Sequence, residues 1–205
     1  MAKVCGAHDM NALMSDDLSF TLFQTAIGCC GIVWSARGIA GVEIAGKSEQ
    51  AARDRLLRRR ASAREAAPPP GVQHVIADIV VLLNGEPKEL SYVTLDLDGV
   101  PDFNRRVYDA ARTIRPGATL SYGEIAARLG DRSLARDVAQ ALSQNPFPLI
   151  VPCHRVLAAG GKMGGFSAPG GVRTKLQLLS IEGAQYGAPM LFDRLPWTAS
   201  DRRPA

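Results

Sequence analysis

A cysteine and a histidine stand side by side late in the chain, within Pro152-Cys153-His154-Arg155-Val156. The thiolate form of cysteine is a strong nucleophile, and a nearby base raises the fraction of thiol that is ionised. A free thiol has a pKa of about 8.5, so only a few per cent is thiolate at pH 7. The pair therefore predicts nucleophilic chemistry at Cys153, with His154 taking the proton directly or through one water.

The residues around this pair extend the pattern in both directions. The motif Pro152–Val156 resembles the active-site signature of the O6-alkylguanine-DNA alkyltransferases, also called methylated-DNA–protein-cysteine methyltransferases, and residues 103–184 follow that family closely. The resemblance assigns the family's active-site asparagine to Asn145, its helix-turn-helix tyrosine to Tyr122 and its arginine finger to Arg136. It assigns the relay glutamate to Glu182 and the glycine-rich loop to Gly164, Gly165, Phe166 and Ser167.

This resemblance implies direct reversal of DNA damage. Cys153 would displace guanine from the alkyl carbon of O6-alkylguanine in one step, and O4-alkylthymine would be a further substrate. Asn145 would hold the cysteine segment, and Glu182 would orient His154, which needs a third group to fix its tautomer. The thioether product is stable, so each molecule would act once, and no cofactor is expected.

The resemblance also implies double-stranded DNA as the partner and a flipped nucleotide as the substrate. The helix that begins near Ala135 would enter the minor groove, where contacts sense mainly backbone and shape. The small Ala135 and Ala139 would permit close approach, and Arg136 would fill the gap in the base stack. Tyr122 would contact the flipped nucleotide. Asp137 would oppose phosphate unless it turned towards a neighbouring arginine, Arg132 or Arg136.

The flipped base would lie beneath the loop from Gly164 to Ser167, because glycines let the backbone approach a ligand closely. Ser167 and backbone amides would bond the O6 position, and the carbonyl oxygens of Val151 and Cys153 would accept the exocyclic amine. Phe166 stands where some relatives have tyrosine, and Ala168-Pro169 resembles an insertion. The tolerated size of the alkyl group is therefore left open.

Metal ligands are sparse. Vertebrate members of the family hold zinc in the N-terminal domain, and by layout the later ligand positions fall near Ser35 and Ala40, leaving Cys5, His8 and His74 without partners. We therefore expect no metal. Four scattered cysteines also cannot supply the separate zinc module of the adaptive-response regulator, so we expect repair without methyl-triggered control of transcription.

The charge balance suits a polyanionic partner without requiring one. The net charge is +4, and most of the excess lies between Ala118 and Glu182. Arg53, Arg55, Arg58, Arg59 and Arg60 cluster in one predicted helix, which we interpret as a solvated helix face. The chain has neither an apolar run long enough to span a membrane nor a signal peptide, which predicts a cytoplasmic protein. We also expect a monomer without an obligate protein partner.

The predicted strands and helices of the chain fall into two parts, and the boundary between them lies at Asp98-Gly99-Val100-Pro101. Alternation and turn residues before this point predict strands at 20–25, 29–34, 39–44 and 92–97, a helix from Ser48 to about Arg60 and a second helix over 72–83. Residues 66–71 are interpreted as a stiff loop, and residues 1–18 as a frayed end.

The pattern after this boundary is helical. Asp102 is expected to cap a helix that stops at 115–117, Ser121 and Glu124 form a capping box for a helix that ends at Gly130, and a turn leads into a helix over 134–143. We predict an α+β chain. Its parts are an N-terminal ribonuclease-H-like α/β domain (1–98), a mainly helical winged helix-turn-helix domain that carries the active site (99–185) and a tail (186–205).

Three other functions compete with this interpretation. A non-catalytic lesion binder would share the same body but lack the cysteine. A cysteine hydrolase could use Cys153, His154 and Glu182, but it would need turnover and an oxyanion hole and would not need Arg136. A winged-helix transcription factor would leave the cysteine motif idle. A stoichiometric gain of one alkyl group would separate the alkyltransferase from all three.

Overall fold

A computed structural model describes residues 17–44 and 48–185. The expected frayed end, apart from Asp17 and Leu18, lies outside the described residues, as do Cys5, His8 and the predicted tail at 186–205. The described part mixes helices and strands, so the predicted α+β class is confirmed.

A four-stranded sheet forms the N-terminal part. Its first three strands are antiparallel neighbours joined by tight turns, and a short fourth strand pairs in parallel with the first, in the order β3-β2-β1-β4. Glycines with positive φ begin the second and third strands, where the turns require that conformation. These strands are β1 (Ser19–Thr25), β2 (Gly28–Ser35), β3 (Gly38–Glu43) and β4 (Arg64–Glu65). The three strands predicted first are confirmed.

Two helices follow β3. Helix α1 (Glu49–Arg59) is capped by Ser48, whose hydroxyl accepts from the backbone N–H of Ala51, as predicted. Helix α2 (Pro70–Leu83) starts two residues earlier than expected, inside the segment interpreted as a loop. Proline fits the first helical position because it has no N–H to leave unpaired and its φ is preset.

The arginines of α1 correct a second expectation. Arg55 Nε lies 2.5 Å from Glu43 Oε1, Arg53 Nη1 lies 2.5 Å from Glu65 Oε2, and Arg60 donates to the carbonyl oxygen of Ala40. The face is therefore solvated only in part, because Arg53, Arg55 and the C-cap residue Arg60 bind carboxylates or backbone of the adjoining sheet.

The strand predicted over 92–97 is absent, and this prediction was wrong. A single bridge joins Ile39 and Leu95, in which Ile39 N–H donates to Thr94 (2.9 Å) and Asp96 N–H donates to Ile39 (2.8 Å). The Asp96 carboxylate accepts from Ser35 Oγ (2.6 Å) and Arg37 Nε (2.9 Å). Side-chain hydrogen bonds therefore hold this segment against the sheet in place of a strand ladder.

Four helices and a two-stranded parallel sheet form the rest of the described chain: α3 (Asp102–Arg112), β5 (Leu120–Ser121), α4 (Tyr122–Arg128), α5 (Ala135–Ser143), β6 (Val156–Leu157) and α6 (Val172–Ile181). The capping box of α4 is confirmed, since Ser121 accepts from Glu124 N–H and the Glu124 carboxylate accepts from Ser121 N–H. Asp102 is not a cap: it is the first residue of α3, after an extended Pro101, and its side chain caps nothing.

One continuous apolar core underlies both parts. Buried side chains of β2, β3 and α2 belong to the same cluster as those of α3, α4 and α5. A backbone hydrogen bond also crosses between them, from Val42 N–H in β3 to the carbonyl oxygen of Pro146 (2.9 Å). No helix in the described ranges is long and apolar enough to cross a membrane. The domain boundaries remain a prediction.

Candidate active site

The turn between α5 and the cysteine is held by the side chain of Asn145, which is buried. Its Oδ1 accepts from the backbone N–H of Phe147 (2.9 Å), and its Nδ2 donates to the carbonyl oxygen of Val151 (2.9 Å). The same Nδ2 lies 3.4 Å from the sulfur of Cys153. One carboxamide therefore fixes the shape of the turn and points a donor at the thiol.

Leu149 lies within this turn and has a φ of 75°, a left-handed conformation that is unusual for a side chain other than glycine. Its side chain is buried in the shared core, and Val151 N–H closes the turn by donating to Phe147 (2.8 Å). Such strain persists only where surrounding contacts determine the backbone. The turn is thus held in a single shape by packing and by Asn145.

Cys153 begins a short 3₁₀ helix, Cys153–Arg155, and is 7% exposed. Burial raises the pKa of its thiol. The hydrogen bond from Asn145, the charge of Lys175 and nearby backbone N–H groups act in the opposite direction but do not cancel the effect of burial. The resting thiol is therefore protonated at neutral pH, and its reaction as a nucleophile requires a proton acceptor.

His154 lies fully buried beside it, with Nε2 at 2.9 Å from Glu182 Oε1. Burial lowers the pKa of the imidazole, although Glu182 works against this, so the ring is neutral at pH 7. A carboxylate accepts from Nε2–H, which leaves a lone pair on Nδ1. Nδ1 has no partner in the part of the chain that the structure describes, and the ring makes no direct bond to the thiol there.

Glu182 is held as a carboxylate by two side chains. Arg155 binds it in a fork, Nε to Oε2 at 2.8 Å and Nη2 to Oε1 at 2.7 Å, and also donates to the carbonyl oxygen of Ile114 (2.6 Å). Burial alone would raise the pKa of Glu182, but the hydrogen bonds from His154 and Arg155 lower it to about 2. The carboxylate can therefore orient His154 without taking its proton.

Sequence interpretation gave no role to Arg155, and it missed Lys175 altogether. Lys175 is fully buried, donates to the carbonyl oxygen of Val156 (2.6 Å) and lies 6.0 Å from the ring centre of Tyr122. Burial lowers the pKa of its ammonium group to about 8. A signal existed, because Lys175 precedes Leu178 and Leu179 by three and four residues and so lies on the apolar face of α6.

A cavity of about 350 Å³ opens onto the sulfur. Tyr122, the first residue of α4, forms one wall, and the loop beyond Gly164 forms another. Gly164 has a φ of 64°, and an added Cβ would lie 3.3 Å from the Tyr122 ring, so the loop is packed against the tyrosine. The lining residues are Tyr122, Ala139, Leu142, Ser143, Cys153, Gly165, Phe166 and Ser167.

The remaining predicted residues take different positions. Arg136 and Asp137 are exposed on the first turn of α5, and Ala135 is half-buried. Asp137 forms no ion pair within the described ranges, so the turn towards Arg132 or Arg136 is not seen. The carbonyl oxygen of Val151 accepts from Asn145 Nδ2 (2.9 Å) and Cys153 N–H (2.8 Å). Its predicted role as an acceptor for the base stays a prediction.

Among the described residues, no cluster of three or more histidine, cysteine, aspartate or glutamate side chains could hold a metal ion. Ser35, which lies near a zinc-ligand position of the vertebrate relatives, donates to Asp96. His74 Nε2 lies 3.7 Å from Asp78 Oδ2.

Similarity to known proteins identifies the family of this chain. Residues 102–184 match the family model described as 6-O-methylguanine DNA methyltransferase, DNA binding domain. The methylated-DNA–protein-cysteine methyltransferase of Methanothermobacter thermautotrophicus is 35% identical over 153 residues, which are 75% of this chain and 78% of that protein. The chain belongs to this family.

Other methylated-DNA–protein-cysteine methyltransferases agree. The Mycobacterium tuberculosis protein of that name is 47% identical over 102 residues, 49% of this chain and 60% of the relative. A crystal structure of Mycobacterium tuberculosis OGT in complex with DNA has 31% identity and a TM-score of 0.65, covering 83% of this chain and 96% of the other. The O6-methylguanine-DNA methyltransferase from Pyrococcus kodakaraensis has 26% identity and a TM-score of 0.60, covering 82% and 99%.

Proposed function

We propose that this chain repairs alkylated DNA by moving the alkyl group of O6-alkylguanine onto the sulfur of Cys153. The single observation that carries the proposal is the placement of this sulfur on the wall of a cavity of about 350 Å³, 3.4 Å from the Asn145 amide. The neutral His154 and the Glu182 carboxylate lie immediately behind it. The family of the chain supports the same reaction.

The chemistry follows from the states of these groups. The thiol proton passes to Nδ1 of His154, directly or through one water, and Glu182 stabilises the imidazolium that forms. The sulfur attacks the alkyl carbon while the bond from that carbon to O6 breaks, and its electron pair leaves with the guanine. The guanine takes a proton from the Tyr122 hydroxyl, and the proton carried by the His154 imidazolium returns to the phenolate through solvent. The sulfur of a thioether is a poor leaving group, so the alkyl group stays on Cys153 and the reaction occurs once per molecule.

DNA would be bound by α4 and α5, as a helix-turn-helix whose second helix presents Arg136. Arg136 would occupy the space that the flipped nucleotide leaves, with Ala135 against the groove, and the base would enter the cavity beside Tyr122 under the loop with Gly165 and Ser167. The exposure of Arg136 and the capping box that begins α4 support this arrangement. Nucleotide flipping brings the alkyl carbon to a sulfur that duplex stacking would otherwise keep out of reach.

The two parts of the chain would be domains of known architecture. The N-terminal sheet with α1 and α2 would be a ribonuclease-H-like unit (1–98), and α3 to α6 with β5 and β6 a winged helix-turn-helix unit (99–185). The protein would act in the cytoplasm as a monomer on double-stranded DNA, without an obligate protein partner. O4-alkylthymine would be a second substrate through the same cavity.

The deciding experiment follows the methyl group. A duplex with radiolabelled O6-methylguanine is incubated with the protein, and the intact mass and the label are measured together. We expect one methyl group per molecule, lost in Cys153→Ala and kept in Cys29→Ala, which removes another buried free thiol. Label that stays on the DNA would refute the proposal, and repeated turnover would identify a hydrolase instead.

A further inference from the structure

Two arginines at the end of α1 are left over once the structural roles of the others are assigned. Arg58 and Arg59 lie in the last turn and are exposed, whereas the other arginines of the cluster bind Glu43, Glu65 and the Ala40 carbonyl. Arg59 Nη1 comes no closer than 3.7 Å to Glu43 Oε2, and its side chain is 51% exposed. Long exposed arginines contribute little to stability through such a pair.

The charge around these arginines is not balanced locally. Glu43 is the buried carboxylate of this region; burial raises its pKa, and Arg55, Arg59, Arg60 and Arg58 all work against that increase. Four positive groups thus surround one negative group. The excess positive charge lies at the solvent-facing end of α1, where an anion would compete with the long pair between Arg59 and Glu43 (3.7 Å).

The position of Arg59 relates this charge to the active site. Arg59 lines a narrow cleft together with Glu43, Pro148, Cys153 and the loop at 166–169. The same loop residues Phe166 and Ser167 also line the larger cavity on the α4–α5 side. The cleft, of about 20 Å³, has room for no more than a water molecule and cannot admit a base. Arg59 therefore stands beside the loop that covers the substrate cavity, across it from α5.

We propose that Arg58 and Arg59 form a second phosphate-binding surface for the DNA, on the N-terminal side of the active-site loop. The proposal rests on the proposed function, because only a duplex held against α5 would bring its backbone near this loop. Phosphates are the matching partner, since a duplex carries about one charge per 1.7 Å of axis and arginine binds phosphate oxygens in a fork. Such contacts add affinity without sequence preference.

The test measures the salt dependence of DNA binding. Fluorescence anisotropy with a duplex that contains O6-methylguanine gives the association constant between about 50 and 200 mM salt, a range in which phosphate contacts are strongly screened. In Arg58→Ala/Arg59→Ala, the slope of log K against log salt should become shallower by about 1 to 2. Arg64→Ala is the matched control, because this exposed arginine lies on β4 at the opposite edge of the sheet, and its slope should match that of the unmodified protein.

A charge-preserving variant and the methyl assay separate the outcomes. Arg58→Lys/Arg59→Lys should retain most of the slope, since lysine also neutralises phosphate. An unchanged slope in the alanine variant, or the same decrease in the lysine variant, would overturn the proposal. Failure of the unmodified protein to accept a methyl group would instead remove the proposed function on which it rests. Thermal unfolding of each variant establishes that it is folded.

Discussion

Lys175 is a single residue whose buried charge lowers the stability of the fold and favours ionisation of the Cys153 thiol. A buried ammonium group is costly unless it is paired, and among the described residues this one donates to the Val156 carbonyl (2.6 Å) and lies 6.0 Å from the centre of the Tyr122 ring. Its pKa of about 8 means that it is charged at pH 7 in spite of this cost. The compensation is functional, because its charge lowers the pKa of the Cys153 thiol against the effect of burial.

Replacement of this lysine should therefore separate stability from activity. We expect Lys175→Met to unfold at pH 7 with a free energy equal to or above that of the unmodified protein, because a buried charge is removed. Alkyl transfer should slow about tenfold, because loss of the positive charge leaves the pKa of the Cys153 thiol still higher and the thiolate scarcer. Urea unfolding and single-turnover rates across pH measure the two effects. A variant that is both unstable and fully active would contradict this account.

Some residues of the active site could be predicted from the sequence, and others could not. The positions of Cys153, His154, Asn145 and Glu182 were proposed from a motif, and in the structure they form two hydrogen-bonded pairs, Asn145 with Cys153 and His154 with Glu182. Lys175 was missed because its role depends on which face of α6 is buried. The acceptor role of the Val151 carbonyl came from the family resemblance, which does not show the hydrogen bonds that this oxygen accepts within the turn.

The turn that carries the active site depends on a single strained backbone position. Leu149 adopts a φ of 75° while its side chain is buried. Packing of the side chain therefore holds the backbone in a conformation that leucine otherwise avoids. A left-handed conformation costs about 1 to 2 kcal/mol for a residue with a Cβ and almost nothing for glycine. The strain is borne because the leucine side chain fills the core beneath the turn.

Two variants of Leu149 distinguish the cost of the backbone strain from the contribution of side-chain packing to the free energy of unfolding. Both Leu149→Ala and Leu149→Gly lose the side chain and should be destabilised, by about 2 to 5 kcal/mol for alanine. The glycine variant should be the more stable of the two by about 1 kcal/mol, which reverses the usual order of these residues in regular structure. Equilibrium unfolding in urea measures the difference. An alanine variant as stable as the glycine variant would show that the turn is not strained.

Local signals predicted the caps of α1 and α4 correctly but failed at Asp102, which is the first residue of α3 and not its cap. The capping box of α4 involves only Ser121 and Glu124 and formed as expected, whereas the start of α2 was misplaced by two residues because Pro70 was interpreted as loop. The strand at 92–97 failed for a different reason. Its pairing is decided by the Asp96 side chain and residues about sixty positions away, which no local window contains.

One apolar cluster of the described residues joins the N-terminal sheet to helices α3, α4 and α5, so changes in one part affect the stability of the other. Glu182 and His154 are buried at the end of α6 and in the cysteine segment, and their ionisation is therefore linked to unfolding. The folded pKa of Glu182, about 2, lies below its ordinary value of 4.5. This group stabilises the fold fully above pH 4.5, and the contribution is lost as the pH falls towards 2.

Acid unfolding should reveal this linkage. Glu182→Gln should be less stable than the unmodified protein at pH 7 by about 3 kcal/mol, as the pKa difference implies, and the gap should close between pH 4.5 and 2. His154 adds to the acid sensitivity of both proteins, because its lowered pKa also favours unfolding when it is protonated. Unfolding free energies at pH 7, 5 and 3 measure the effect. A gap that does not change with pH would contradict it.

The bond between Val42 N–H and the Pro146 carbonyl also makes the sheet a reporter of the site. Its donor belongs to β3, and its acceptor is the residue after Asn145. The amide hydrogen of Val42 can exchange with solvent deuterium only when this bond opens. Exchange at one strand residue, followed by NMR before and after alkylation, would therefore record how firmly the turn around the occupied sulfur stays closed.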